Sequence, residues 1–191
     1  MRGLLIAIVS LGIMAAPAFA EAGMCTTLIE HSDADTENPW RTINDGVMGG
    51  RSSGGSALAG GALVFRGVTN TNGGGFSSIR LPIARGALAG ADHLRVHMKR
   101  DARTYSVTLR TDIRRFGRPI AFRAPIVDAP EGAWGDWALV FDTLKASFDG
   151  TAVPDAVFDP AEATEIGIII YDGRDGPFEM ALKRIEACAA G

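Results

Sequence analysis

Apolar and polar residues alternate one by one through short segments of this chain, and that spacing constrains the fold more than any other feature. In residues 93–99, Leu94, Val96 and Met98 alternate with polar neighbours, and residues 104–110 repeat the pattern. Successive side chains of a β-strand point to opposite faces of the sheet. Each segment therefore predicts a strand with one apolar and one polar face.

Turn-forming Gly, Asp, Asn and Pro residues recur roughly every ten residues between these segments, as in all-β sandwiches and barrels. Helical periodicity is almost missing from the sequence. One helical turn is predicted at 159–163, with Asp159 as N-cap and Pro160 at the first helical position. The run 168–170 does not alternate, so that strand is expected to be covered on both faces. The sequence predicts a single all-β domain with antiparallel sheets.

Residues 1–20 have the features of a signal peptide. Arg2 precedes an apolar run over residues 4–14, and a small-x-small triplet ends at Ala20. An uncleaved membrane anchor is the alternative, but a spanning helix needs about 20 apolar residues. We therefore predict cleavage after Ala20, a domain over residues 21–191, and a periplasmic or secreted protein without stable membrane insertion.

The chain has two cysteines, Cys25 and Cys188, near the two ends of the predicted domain. Two are too few for a disulfide-dense scaffold or a four-thiolate metal site. In an oxidising compartment an even pair is expected to bond. Such a bridge contributes on the order of 4 kcal/mol in the chain-entropy model. Two buried free thiols remain the alternative.

Charge and motif content exclude several classes of function. The net charge of −3 gives no bulk attraction to phosphate backbones, so no nucleic-acid partner is predicted. The glycine clusters at 46–50 and 73–75 lack the Gly-Lys-Ser/Thr of a phosphate loop, so no cofactor is predicted. His93 and His97 lie about 13 Å apart along a strand, too far to share a metal ion. No catalytic or metal-binding residue is predicted.

Acidic residues cluster in two predicted loops, 33–37 and 172–179. Either loop has the oxygen ligands that calcium prefers, without the ordered spacing of a dedicated calcium loop. Glycoside hydrolysis instead needs two carboxyl groups at a defined separation in one cleft. A carbohydrate-active enzyme with paired carboxylates is therefore the alternative to a non-catalytic function.

Polar strand positions form a candidate binding surface. The set consists of Arg80, Arg95, Thr104, Ser106, Thr108, Arg110 and Arg123. Trp40, Trp134 or Trp137 would add a flat apolar platform. Such a surface suits a sugar, a peptide or a protein. An ordinary solvated sheet with its tryptophans in the core is the alternative.

One motif is much more specific than these patterns. Residues 40–52 read WRTINDGVMGGRS, and the segments 70–80, 101–105 and 166–178 follow in order. Together they closely resemble the complex I intermediate-associated protein 30 family over residues 26–188. The resemblance implies a galactose-binding-like jelly-roll β-sandwich. It also implies a scaffold without known catalysis, as in the family's assembly factors for respiratory complex I.

The motif also has a physical interpretation. We expect Asp45 to accept backbone N–H bonds in its glycine loop, with Trp40 and Met48 packed beneath and Arg80 as its partner. The loop is then either a structural latch or a ligand contact. The predicted ligand-contacting residues are Trp40, Asp45, Met48, Arg80, Arg110 and Trp137. The predicted function is an exported, non-catalytic module that binds a protein partner or a carbohydrate.

Overall fold

A computed structural model describes residues 23–129 and 131–190, so the predicted signal peptide lies outside the described residues. Extended segments dominate it, as the alternation predicts. The strands are β1 Cys25–Glu30, β2 Arg41–Asn44, β3 Ser53–Ala59, β4 Ala62–Thr69, β5 Ser77–Pro82, β6 His93–Arg100, β7 Tyr105–Arg110, β8 Arg114–Arg115, β9 Arg118–Pro119, β10 Ala121–Pro125, β11 Gly135–Val140, β12 Lys145–Phe148, β13 Thr151–Ala152, β14 Glu165–Ile170 and β15 Gly176–Cys188. Short 3-10 helices cover Asp45–Met48, Phe141–Thr143 and Pro160–Glu162.

The strands form two antiparallel sheets. The first has the order β11-β6-β15-β4-β3, and β1 pairs with the C-terminal part of β15. The second has the order β13-β12-β10-β7-β14-β5-β2, and β8 and β9 form a separate hairpin. The long β15 holds the first sheet together because β6, β4 and β1 all pair with it. This arrangement confirms the predicted all-β sandwich.

The apolar positions of both sheets face each other and form one core. Leu94, Val96 and Met98 of β6 and Val107 and Leu109 of β7 are at most 2% exposed. Their polar neighbours therefore point outward, as the alternation predicts. Burial of the apolar side chains of this core stabilises the fold by about 25 cal/mol per Å².

Other local predictions are also confirmed. The run 168–170 is buried throughout, including Ile169, whose side chain is on the outward side of β14. Asp159 caps the 3-10 helix Pro160–Glu162, where its carboxylate accepts a hydrogen bond from Ala161 N at 2.9 Å. Cys25 and Cys188 are opposite each other in the β1–β15 ladder and form a disulfide. None of the helices in the described part of the chain is long and apolar enough to cross a membrane.

Candidate functional site

The outward positions of the second sheet carry an unusual set of charges. We call this surface the cationic face; its charged members are Arg41, Arg80, Arg110, Arg123, Lys145 and Glu165. Glu165 is the one acidic residue among the described outward strand positions of this sheet. Five cationic side chains thus share a sheet face with one carboxylate, although the whole chain has a net charge of −3.

Strand register brings these residues together from distant parts of the sequence. One cross-strand row contains Arg41, Arg80, Gly167, Thr108, Arg123 and Lys145. Adjacent strands lie about 4.8 Å apart, so a row over six strands is about 24 Å long. Gly167 is in the middle of this row. A Cβ there would lie 2.6 Å from Thr108 Oγ1 and 3.3 Å from Arg80 Cγ, so glycine leaves room for both side chains.

Glu165 is shared between three guanidinium groups. Arg110 is its direct cross-strand neighbour and donates a hydrogen bond from Nη1 at 2.7 Å. Arg41 Nη2 is 3.5 Å and Arg80 Nε 3.9 Å from the same carboxylate. One acid does not neutralise three arginines, so this end of the face keeps an excess of positive charge.

Arg80 and Arg123 are partly buried within this excess. Burial, followed by repulsion from Arg110, lowers the pKa of Arg80 to about 10. Burial and then Arg110 also lower the pKa of Arg123. The Nε of Arg123 is buried and has no hydrogen-bond partner among the described residues. A bound anion would offset these unfavourable terms.

Two aromatic rings lie on the same side of the second sheet as the cationic face, four residues along the strands from Arg80 and Gly167. Phe76 immediately precedes β5, and Tyr171 immediately follows β14. The alternation of side chains along each strand points both rings to the outer side of the sheet. Their ring centroids are 6.5 Å apart in an edge-to-face arrangement, and Tyr171 is 57% exposed. We call Phe76 and Tyr171 the aromatic pair. Tyr171 is thus an exposed aromatic side chain on the side of the sheet where a tryptophan was expected.

Asp45 fixes the backbone before Phe76. Its fully buried carboxylate accepts hydrogen bonds from Ser52 N at 2.8 Å, Ser52 Oγ at 2.6 Å, Gly75 N at 2.6 Å and Phe76 N at 3.3 Å. Burial alone would raise the pKa of Asp45, but these hydrogen bonds outweigh it and hold the pKa below its usual value. The geometry supports the structural-latch alternative.

The glycines of the motif make room for this carboxylate. A Cβ at Gly50 would lie 2.3 Å from Asp45 Cγ, and one at Gly74 would lie 2.5 Å from Asp45 Oδ2. Real Cβ atoms do not approach other atoms so closely. The glycines at both positions are therefore required by close packing against Asp45.

A second latch holds the chain after Tyr171. Arg103 donates to both oxygens of Asp172 at 2.7 Å, and both side chains are under 10% exposed. Arg103 also donates to the carbonyl oxygens of Arg174, Gly176 and Pro177. The Arg103 hydrogen bonds hold the pKa of Asp172 below its usual range.

Hydrogen bonds connect the two latches. Ser52 Oγ accepts from Asn70 N at 3.0 Å, and Asp175 Oδ1 accepts from Thr71 N at 2.7 Å. Thr69 Oγ1 accepts from Arg103 at 2.8 Å. All four motif segments of the sequence therefore meet around the aromatic pair.

Several predicted site residues lie elsewhere or act differently. Met48 does not pack beneath the loop: it is 70% exposed, because the 3-10 turn that buries Asp45 points Met48 outward. Arg80 is not the partner of Asp45; its nearest acid is Glu165. Trp40 and Trp137 are buried in the core, at 5% and 9% exposure, so neither forms a surface platform.

The predicted polar surface is also split between the sheets. Arg80, Arg110 and Arg123 share the second sheet, but Arg95 is on β6 of the first sheet and pairs with Glu186 at 2.8 Å. The exposed Trp134 is also on that other side, stacked against His97 of β6. A single surface containing all these residues was therefore a wrong prediction.

The acidic loops considered for calcium contain acids that already have partners. Asp172 is bound by Arg103, and Asp35 accepts from the Ser32 backbone and lies 3.3 Å from His31 Nδ1. Within residues 23–129 and 131–190, no cluster of three His, Cys, Asp or Glu side chains is arranged to hold a metal ion.

Sequence reasoning missed five contributors to this region. They are Arg41, Phe76, Lys145, Glu165 and Tyr171. Tyr171 points to the same side of the sheet as Ile169. The unbroken run of isoleucines has no apolar–polar alternation, so the sequence does not show which of these side chains point outward. Arg41, Lys145 and Glu165 become recognisable only when the strand register is known.

Comparison with known proteins identifies the relatives of this chain. The family model for Complex I intermediate-associated protein 30 matches residues 29–182. No curated protein sequence matches the chain.

Solved structures share the fold at low sequence identity. The family 11 carbohydrate-binding module of the cellulase Lic26A-Cel5E of Clostridium thermocellum is 12% identical, with a TM-score of 0.64 over 90% of this chain and 97% of that one. The same organism's family 11 module in complex with a β-1,3-1,4-mixed-linked tetrasaccharide gives 0.61 at 12% identity, over 88% and 96%. Its family 30 carbohydrate-binding module gives 0.51 at 13%, over 87% and 98%. The predicted jelly-roll fold is confirmed.

Proposed function

The chain belongs to the complex I intermediate-associated protein 30 family, and we propose that it is a non-catalytic module that binds a carbohydrate on the outer surface of its second sheet. The observation that carries this proposal is that the aromatic pair and the cationic face lie on the same outer side of one sheet. Aromatic rings stack on the apolar faces of sugars, and arginines donate hydrogen bonds to sugar oxygens. Tyr171 and Phe76 supply the rings for stacking, and the three arginines of β5, β7 and β10 supply the hydrogen-bond donors.

The rigidity of the surface supports binding. Two buried carboxylates, those of Asp45 and Asp172, hold the backbone next to the aromatic pair in place. Preorganised contacts lose less conformational entropy when a ligand binds. The fold is shared with a module solved in complex with a mixed-linked tetrasaccharide, which makes a saccharide the first ligand class to test.

The alternative of a hydrolase finds less support on this surface. Glycoside hydrolysis requires two carboxyl groups roughly 5 to 10 Å apart. Glu165 is the one acid among the outward strand positions described for the second sheet, and it is bound by Arg110 at 2.7 Å. Binding without bond cleavage is the function that this geometry favours.

Export to the periplasm or the medium is part of the proposal. The Cys25–Cys188 disulfide supports it, because such bonds persist in oxidising compartments. Mass spectrometry of the protein from the periplasmic and extracellular fractions tests it. We expect a mature N-terminus at Glu21; an intact Met1 in a cytoplasmic, reduced protein would contradict export.

Affinity electrophoresis in gels that contain neutral and acidic polysaccharides tests the binding function. We expect retardation of the parent protein by at least one polysaccharide and an affinity loss of about tenfold in Tyr171→Ala. Trp134→Ala is the matched control, because Trp134 is an exposed aromatic residue on the other side of the sandwich. Equal losses in both variants, or no retardation by any polysaccharide, would contradict the proposal.

A further inference from the structure

Resting on the proposed function, we propose that the ligand is an acidic saccharide whose carboxylate or sulfate groups bind to Arg80, Arg110 and Arg123. The proposed function requires only a sugar-binding surface. The charge distribution of that surface specifies the chemical class of the sugar.

The charge imbalance of the cationic face is local. The whole chain has 19 basic and 22 acidic residues. Among the described outward strand positions of the second sheet, however, five cations share the surface with one acid, Glu165. Like charges on neighbouring strands destabilise a sheet, so this concentration costs folding free energy. A bound anion offsets that cost.

The outer side of the first sheet offers an internal comparison. There, Arg95 of β6 is 2.8 Å from Glu186 of β15, and His97 is 2.8 Å from Asp136 of β11. Each of these basic groups has a carboxylate on the adjacent strand. On the second sheet, by contrast, Arg123 is opposite Thr108 on one side and Lys145 on the other. Arg123 therefore differs from Arg95 and His97 in having no carboxylate opposite it on either neighbouring strand.

Arg123 gives the strongest indication of an external anion. Its Nε is buried without a hydrogen-bond partner in the described residues, and no carboxylate pairs with it there. Buried polar groups of folded proteins are normally satisfied, and an unsatisfied group costs about 1–3 kcal/mol. Guanidinium groups bind carboxylates and sulfate-like oxyanions through paired N–H donors. Such a group on the ligand completes the site.

The aromatic pair distinguishes a saccharide from other polyanions. Phe76 and Tyr171 lie on the same side of the sheet as the arginines, four residues along their strands from Arg80 and Gly167. An oligosaccharide with one ring on Tyr171 would therefore extend its acidic substituents along the sheet toward Arg80 and Arg123. A polypeptide of acidic residues has no ring for this platform.

Isothermal titration calorimetry of the purified exported protein tests the inference with four probes. They are an oligogalacturonate for carboxylates, dextran sulfate for sulfates, a neutral mixed-linked β-glucan oligosaccharide, and poly-glutamate as a polyanion without sugar rings. The variants are Arg123→Gln and the exposed Lys145→Gln. Arg66→Gln is the control, because it removes the same charge from an exposed position of the first sheet.

We expect at least one acidic saccharide to bind about tenfold or more tightly than the neutral glucan, with affinity falling as salt is added. Arg123→Gln and Lys145→Gln should each weaken that binding, by about tenfold and severalfold respectively, while Arg66→Gln leaves it unchanged. The acidic probe that binds more tightly identifies the charged group. Thermal unfolding of each variant verifies that it is folded.

Each other outcome overturns a defined part of the account. If the neutral glucan binds as tightly as the acidic probes and Arg123→Gln has no effect, the acidic-ligand inference is wrong and the carbohydrate function stands. If poly-glutamate binds as tightly as the acidic saccharides, the face recognises charge alone and the inference is also wrong. If no saccharide binds, both the inference and the proposed function fail.

Discussion

Replacement of Asp45 tests the latch on which the aromatic pair depends. In Asp45→Ala, the N–H groups of Ser52, Gly75 and Phe76 lose their acceptor, as does the Ser52 hydroxyl. Each buried donor left unsatisfied costs about 1–3 kcal/mol. Allowing for water that enters the space, we expect the free energy of unfolding to fall by about 3–5 kcal/mol.

Asp45→Asn separates the hydrogen bonds from the charge. One amide oxygen still accepts, but the NH₂ group faces a donor where the second carboxylate oxygen was. The expected loss is smaller, about 1–3 kcal/mol. The control is Asp155→Ala, at an exposed position, which should change stability by less than about 0.5 kcal/mol.

The same variants give a pH signature. The pKa of Asp45 in the folded protein is below its usual value of 3.8, because hydrogen bonds from Ser52, Gly75 and Phe76 outweigh the effect of burial. A lowered pKa stabilises the fold above the unfolded pKa, and this contribution is lost as the pH falls through the folded pKa. The parent should therefore lose more stability than Asp45→Asn between about pH 5 and pH 3.

Urea unfolding of the disulfide-intact proteins, followed by tryptophan fluorescence, measures these differences. A loss below about 1 kcal/mol in Asp45→Ala, with parallel pH profiles for parent and Asp45→Asn, would refute the latch. Asp45 would then be free to act as a ligand contact, the other alternative that the sequence left open.

Further substitutions test the disulfide, the second latch and the glycine beneath Arg80. Replacing Cys25 and Cys188 together by Ala should lower the urea-derived stability by about 4–5 kcal/mol, because the bridge joins residues 163 apart; an unchanged midpoint would contradict this. Arg103→Met should cost about 3–5 kcal/mol by leaving a buried carboxylate unpaired, and a stabilised variant would argue against that role. Gly167→Ala should displace Thr108 and, next to it, Arg80, and weaken acidic-saccharide binding about tenfold in calorimetry; unchanged affinity in a folded variant would exclude the displacement.

The fold was largely predictable because alternation, turn residues and cysteine parity are local signals. Leu94, Val96 and Met98 mark the inner side of β6 from sequence alone, and the structure confirms it. The candidate site was only partly predictable. Arg80 and Arg110 were identified, but the assignment of Arg80 to Asp45 was wrong, since adjacency across strands depends on register.

Register also explains what was missed. Glu165 meets Arg110 because β14 lies between β7 and β5, an order that the sequence does not reveal. Tyr171 ends a strand that is buried on both faces, so no alternation marks it as outward. The sequence motif was correctly recognised as specific. Its residues mainly hold the backbone beneath the proposed binding surface, and few of them belong to the surface itself. Asp45 and its glycines lie behind Phe76.

The central claim is that the second sheet's outer surface is the saccharide site, and NMR of the arginine Nε–Hε groups during titration with oligogalacturonate tests it most directly. We predict that the signals of Arg80, Arg110 and Arg123 shift together, while those of Arg66 and Arg95 on the first sheet do not. Shifts confined to the first-sheet arginines, or the absence of any shift, would contradict the claim.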